Sequence, residues 1–224
     1  MFVAFEGIDG AGKSSVSNVL YEMLTEAGIP CLYVRKKSVS ARDEYLQSHI
    51  ERVRTLIWGY PHESPIENLG DGHWLHLMAS WFYLVEVLEI EPAIAKGELV
   101  IIEGWTAKFI ARYAMKSQER HTQAADAMRD LRRPDVTFFL NVKPEIAARR
   151  KGQFTPSECG ALDNPVSVSA DSFVTYQTGI AEILKGFSDD DGWTEVGIDN
   201  EPPEQLAEHC FEIVLRRKHD LQSQ

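Results

Sequence analysis

Gly7-Ile8-Asp9-Gly10-Ala11-Gly12-Lys13-Ser14 places glycines, a lysine and a hydroxyl at the spacing G-x-x-x-x-G-K-[ST]. Each residue type has a reason to be there. Glycines let successive backbone N–H groups, including those of Ile8 and Ala11, turn inward around a phosphate with no Cβ in the way. A helix opening at Lys13 adds the positive end of its dipole beneath the anion. Lys13 then reaches the β- and γ-phosphates, the Ser14 hydroxyl ligates Mg²⁺, and Ser15 faces the α-phosphate side. The apolar run Phe2-Val3-Ala4-Phe5 just before the loop reads as a strand, the context that this motif requires. The chemistry is capture of a nucleoside triphosphate, ATP with Mg²⁺.

Other residues with chemical potential stand at the carboxyl ends of expected strands, where open α/β sheets bind ligands. Asp9, inside the loop, is placed to orient an acceptor or to hold the metal through water. Glu103 closes the run Leu99-Val100-Ile101-Ile102 and is a candidate for water-mediated Mg²⁺ contact or for accepting a proton. Arg35-Lys36-Lys37 follows another strand directly, so at least one of these cations faces the cleft. Arg149, Arg150 and Lys151 end a helix beside a polar segment and could clamp a γ-phosphate on closure. The histidines, from His49 and His62 to His219, show no metal spacing; His73 and His76 read as ordinary surface or cleft residues.

The elements that must position these groups follow from hydrophobic pattern and breakers. Strands are expected at 2–6, 31–35, 99–102, 136–142 and 194–198. Helices are expected at 13–27, 40–57, 74–96 and 203–217, with 59–72 a loop. Short, uniformly apolar strands alternating with helices argue for a parallel sheet covered on both faces. The stretch 152–170 is rich in Ser, Pro and Gly and too long for an ordinary connection, so it reads as a lid spanning about 150–170. Asp189-Asp190-Asp191-Gly192 reads as a solvated acidic turn.

The 224 residues fit one domain, at roughly 100–200 residues per domain. A formal charge of −11 disfavours a nucleic-acid polymer as partner, since that binding needs a basic footprint. No apolar run approaches the ~20 residues of a membrane span. The chain opens on a strand-like run without a basic leader, and Cys31, Cys159 and Cys210 have neither zinc nor disulfide spacing. A cytoplasmic protein with reduced thiols is expected.

Phe5-Glu6-Gly7-Ile8-Asp9-Gly10-Ala11-Gly12-Lys13-Ser14-Ser15 closely resembles the opening of thymidylate kinases. The segments Glu91 to Ile102 and Pro134 to Glu145 are similar to further passages of that family, and Arg150 falls where the family leads into its lid. The resemblance runs from residue 2 to about 185. It implies a three-layer P-loop kinase fold with five parallel strands, an Asp9 that contacts the acceptor sugar, and a homodimer packed through long helices. Three departures concern the acceptor. Glu103-Gly104-Trp105 stands where the family has Asp-Arg-aromatic; Trp81 stands where it has a phosphate-gripping arginine; and its Arg-Glu-Pro becomes Arg35-Lys36-Lys37. Neither Gly nor Trp can reproduce an arginine fork.

The sequence therefore reads as an ATP-dependent kinase of nucleotide biosynthesis, with a small-molecule acceptor such as dTMP. Arg35, Lys36, Trp81 and Trp105 are the acceptor candidates, the tryptophans as an aromatic wall. The alternatives are a kinase of the same fold with a nucleoside or specialised metabolite as acceptor, and a non-catalytic nucleotide-dependent regulator. A guanine-specific switch would carry Asn-Lys-x-Asp, which is absent here.

Overall fold

The computed structural model describes residues 1–61, 64–163, 166–197 and 201–222. Position 198 of the last expected strand, His62 in the expected loop and positions 164–165 of the expected lid lie outside the described residues. In chain order the elements are β1 (Phe2–Glu6), α1 (Lys13–Glu26), β2 (Cys31–Val34), α2 (Glu44–Trp58), α3 (Gly70–Val85), α4 (Glu91–Ala95) and β3 (Leu99–Glu103). There follow α5 (Ala107–Ala114), α6 (Gln118–Ala127), β4 (Val136–Asn141), α7 (Pro144–Lys151), α8 (Ala170–Asp191), β5 (Thr194–Gly197) and α9 (Pro203–Gln222).

The five strands form one parallel sheet in the order β2-β3-β1-β4-β5, so β1 lies at the centre. The chain lays β2 and β3 on one side of β1, then β4 and β5 on the other. The carboxyl end of β1 therefore sits at the switch point, and the glycine-rich loop opens there. Burial on both sheet faces follows from the strand sequences. Val3, Phe5, Ile101, Phe138 and Leu140 face Leu20, Phe173, Leu184 and Val214 from α1, α8 and α9. Phe2, Ala4, Val34, Val100 and Ile102 face Ile50, Leu75, Trp81, Phe82 and Val85 from α2 and α3. These two cores make the three layers, and the five-stranded architecture expected from sequence is the one present.

The single helix expected over 74–96 is a longer rod with a defect. α3 starts at Gly70, a π turn occupies Glu86–Ile90, and α4 completes the rod. A 3₁₀ turn at Ile66–Leu69 shortens the expected loop before it. Asp189-Asp190-Asp191 is not a turn: it is the last turn of α8, ended by Gly192 at φ +64°, where Lys185 pairs with Asp189 one helical turn away. Among the described residues no helix is long and apolar enough to cross a membrane.

Candidate nucleotide and acceptor site

Gly12 caps α1 in the left-handed conformation at φ +91°, and Gly7 and Gly10 also adopt positive φ. Side chains are excluded at two of these positions. A Cβ at Gly7 would lie 2.8 Å from the Leu140 carbonyl, and one at Gly10 would lie 2.9 Å from the Ala147 carbonyl. The loop thus packs directly on β4 and α7, which fixes its shape. Lys13 is buried, and its ammonium donates to the carbonyls of Gly7 (3.1 Å) and Ile8 (2.7 Å), so the charge is held over the loop. Ser14 and Ser15 are exposed on the first turn of α1. A glycine cradle with tight backbone, an inward lysine and an open serine at the helix start fit a triphosphate with its Mg²⁺.

A cavity of about 950 Å³ opens beside this loop. Asp9, Lys13, Arg35, Lys36, Lys37 and Glu103 are among its polar lining, and Trp58, Trp74, Phe82 and Phe109 among its aromatic lining. Lys36 meets both kinds of lining, its ammonium donating to the Gly104 carbonyl at 3.0 Å and resting 5.5 Å from the Phe82 ring centre. Burial lowers the pKa of Lys36, and the buried Glu6 opposes that shift. Glu6, in turn, has its carboxyl pKa raised by burial, with Lys36 acting against it. Glu6 Oε1 accepts the Trp105 backbone N–H at 2.8 Å, whereas Oε2 has no protein partner.

Of the two tryptophans expected as a wall, Trp105 lines the cavity and Trp81 does not. Trp81 is fully buried and does not reach the cavity. Its indole N–H donates to the Lys36 carbonyl (2.8 Å), and its ring meets Trp58 edge-on. Trp81 therefore stands behind the basic segment as support. Trp105 is only 3% exposed, gripped by Phe2 and Phe82, with its indole N–H on the Arg132 carbonyl; it forms part of the cavity floor. Both carry a large ring whose burial outweighs any exposed role, since each indole N–H finds a carbonyl inside. Arg149 and Arg150 are exposed on α7 and do not line the cavity, and Lys151 pairs with Glu158 at 3.0 Å.

Several cavity residues were not anticipated. Asp9 is gripped by Lys108 (2.5 Å) and Arg112 (3.5 Å) from α5, and by Gln177 from α8. Gln177 is fully buried; its amide donates to Asp9 Oδ2 and the Glu158 carbonyl, and its oxygen accepts the Asp9 backbone N–H. Burial alone would raise the pKa of Asp9, but Lys108, Lys13 and Arg112 outweigh it and hold the carboxyl far below its usual range. The signal for the α5 residues was present in the sequence: Lys108, Arg112 and Lys116 recur every fourth residue, one stripe of a helix. Gln177 offered no signal, since a lone glutamine in an amphipathic helix looks like any other.

The segment expected as a lid is described over 150–163 and 166–170. It holds a short 3₁₀ turn at Pro156–Glu158 capped by Thr155 and Glu158. Lys116 ties it down, bridging Asp163 (2.5 Å) and Asp71 at the start of α3, while Arg120 approaches Asp71 at 3.6 Å. Lys116→Met cuts the tie between this segment and α3. Backbone amides over 156–163 should then exchange hydrogen faster while those of the sheet stay protected, as expected of a local opening. Unchanged protection in mass-resolved exchange would mean that Lys116 holds nothing closed.

No family model matches the chain. A thymidylate kinase of Chlorobium chlorochromatii is 34% identical over 154 residues, which is 67% of this chain; the chain spans 64% of that protein's length. A thymidylate kinase of Fervidobacterium nodosum is 31% identical over 155 residues, covering 67% of this chain and 71% of the relative. The chain belongs to the thymidylate kinase family. A more distant member, named a probable thymidylate kinase, comes from Archaeoglobus fulgidus at 28% identity over 161 residues.

Proposed function

We propose that the chain is an ATP-dependent thymidylate kinase, moving the γ-phosphoryl group of ATP to the phosphate of dTMP. The observation that carries this reading is a single cavity lined both by Lys13 of the glycine cradle and by the aromatic rings of Trp74, Phe82 and Phe109. A triphosphate at one end and a flat pyrimidine at the other would meet at Asp9. The names of the relatives supply dTMP as acceptor.

Phosphoryl transfer is mainly positioning and neutralisation of charge, so each residue has a limited task. The backbone from Gly7 to Gly12 surrounds the donor phosphates, with Lys13 on the β- and γ-groups and Ser15 toward the α-phosphate. Ser14 and, through water, Glu103 would hold Mg²⁺, which usually needs only one or two protein ligands when phosphates supply the rest. When bound, the metal would supply positive charge that offsets the phosphates. Arg35 and Lys36 approach the acceptor phosphate from the end of β2, and Asp9 receives the sugar hydroxyl. Arg149 and Arg150 stand outside the cavity and act only if α7 and the segment after it move over the donor. The same reading takes the chain as one domain working in the cytoplasm. It assembles as a homodimer through the long helices, with the 61% exposed Val87 on the rod offering an apolar contact.

An ADP-release assay with ATP·Mg²⁺ against dTMP, dUMP, other monophosphates and free nucleosides tests this reading. Turnover should depend on the acceptor, with kcat/KM highest for dTMP. ADP release at one rate whatever the acceptor would sink it.

A further inference from the structure

Lys108, Arg112 and Lys116 lie on one face of α5 and the turn after it, and all three line the cavity. Like charges four residues apart on a helix repel, so such a stripe costs stability unless something uses it. Lys116 is occupied by Asp71 and Asp163. Lys108 and Arg112 share the single carboxylate of Asp9, and Lys13 acts on the same carboxylate from α1. Three cations around one acid leave an excess of positive charge at the junction of the phosphate cradle and the aromatic end. Both α5 side chains are largely enclosed, at 20% and 27% exposure, so solvent weakens that excess little.

The fold gives no reason for these charges. The stripe's neighbour Ala111 packs into one core and Tyr113 into the other, which is enough to seat α5. Gly104 cannot supply a cation, and a Cβ there would point at the Lys36 ammonium, 3.5 Å away. Trp81 faces the core. The space where donor and acceptor phosphates would meet is thus served from α5.

Resting on the kinase reading above, we propose that Lys108 is the cation that neutralises the transferring phosphoryl group, and that Arg112 holds the acceptor phosphate beside it. In the free protein Asp9 occupies both. On binding, the phosphates take over Lys108 and Arg112. A dTMP phosphate oxygen forms the new P–O bond as the bond from the γ-phosphorus to the β–γ bridging oxygen breaks. ADP leaves with that electron pair, and Lys108 keeps its proton throughout.

The surroundings of Lys108 give the proposal a pH signature. Burial lowers its pKa, Asp9 opposes this, and Lys13 and Arg112 lower it further, to about 7. Glu6 on β1 also acts on it, and Gln177 from α8 reaches it only through their shared partner Asp9. A cation is needed, so kcat/KM, which reports the free enzyme, should fall as pH rises through about 7. Bound phosphates favour the charged form, so kcat should hold to higher pH.

The test compares Lys108→Met and Lys108→Arg with wild type, measuring dTMP-dependent turnover, binding of a fluorescent ATP analogue, and Tm. The methionine variant should lose about 10²–10³-fold in kcat, the cost of removing one charge-stabilising group, with a much smaller loss of nucleotide affinity. The arginine variant should recover most of this and lack the fall near neutral pH, because a guanidinium does not deprotonate. Full turnover in the methionine variant, or parallel loss of turnover and ATP binding, would overturn the proposal. If the methionine variant fails to fold, a neutral-pH fall that persists in the arginine variant overturns it instead. If wild type does not phosphorylate dTMP, the kinase reading fails separately. Lys13-dependent ATP hydrolysis then decides: retained in Lys108→Met it sinks the proposal, and lost it supports it.

Discussion

Lys13→Ala should abolish phosphoryl transfer while leaving a folded protein. The ammonium is buried and held by two loop carbonyls, so it comes to the phosphates already oriented and with little water to displace. Charge stabilisers fixed in this way are worth about 10²–10³ in kcat each, and a cation on the transferring group can be worth about 10³–10⁵. A loss of about 10³-fold or more is expected. The structural cost should be modest, since the change removes two hydrogen bonds to loop carbonyls beside a cavity that Lys13 itself lines. Lys13→Arg should not rescue, because a rigid planar fork does not replace a compact ammonium inside a closed glycine cradle. The measurement is single-turnover ADP formation beside a thermal melt. Retained turnover with an intact melt would mean that the cradle holds something other than the reacting phosphates.

The donor half was legible in the sequence because its information is local. Gly7 to Ser14 specify a conformation by residue type at fixed spacing, and the flanking strand and helix are neighbours in the chain. The sheet was legible for a similar reason: β1, β3 and β4 are short apolar runs that can only be buried on both faces. The acceptor half is assembled from distant pieces. Gln177 meets Asp9 across 168 positions and Lys108 meets it across 99. Neither pairing leaves a trace in any window of sequence. The α5 stripe did leave one, but comparison with a family pattern directs attention to the missing arginines rather than to cations that arrive from elsewhere. Trp81 stands off the cavity that Trp105 lines, a difference hidden from the sequence, which shows an aromatic but not its orientation. The π turn at Glu86–Ile90 had no readable cause, and the structure offers none.

The distinction between a supporting and a contacting tryptophan leads to the second large effect. Trp81→Ala should remove roughly 3–5 kcal/mol of stability, the usual cost of deleting a buried large aromatic. The ring is fully buried among Trp58, Ile50, Leu75 and Val85, and Arg54 lies 5.9 Å from its centre, so little can collapse into the space. At about 2–4 °C per kcal/mol for a chain of this size, Tm should fall by on the order of 10 °C. Trp81→Phe keeps most of the packing but loses the N–H that holds the Lys36 carbonyl, worth about 1 kcal/mol. That variant separates the two roles. If Trp81 supports the basic segment, Tm drops slightly and KM for the acceptor rises with kcat nearly intact, because Lys36 is displaced without being lost. If Trp81 touched the acceptor base, alanine and phenylalanine would differ sharply in acceptor binding while melting alike. An unchanged Tm in Trp81→Ala would contradict the burial on which this argument rests.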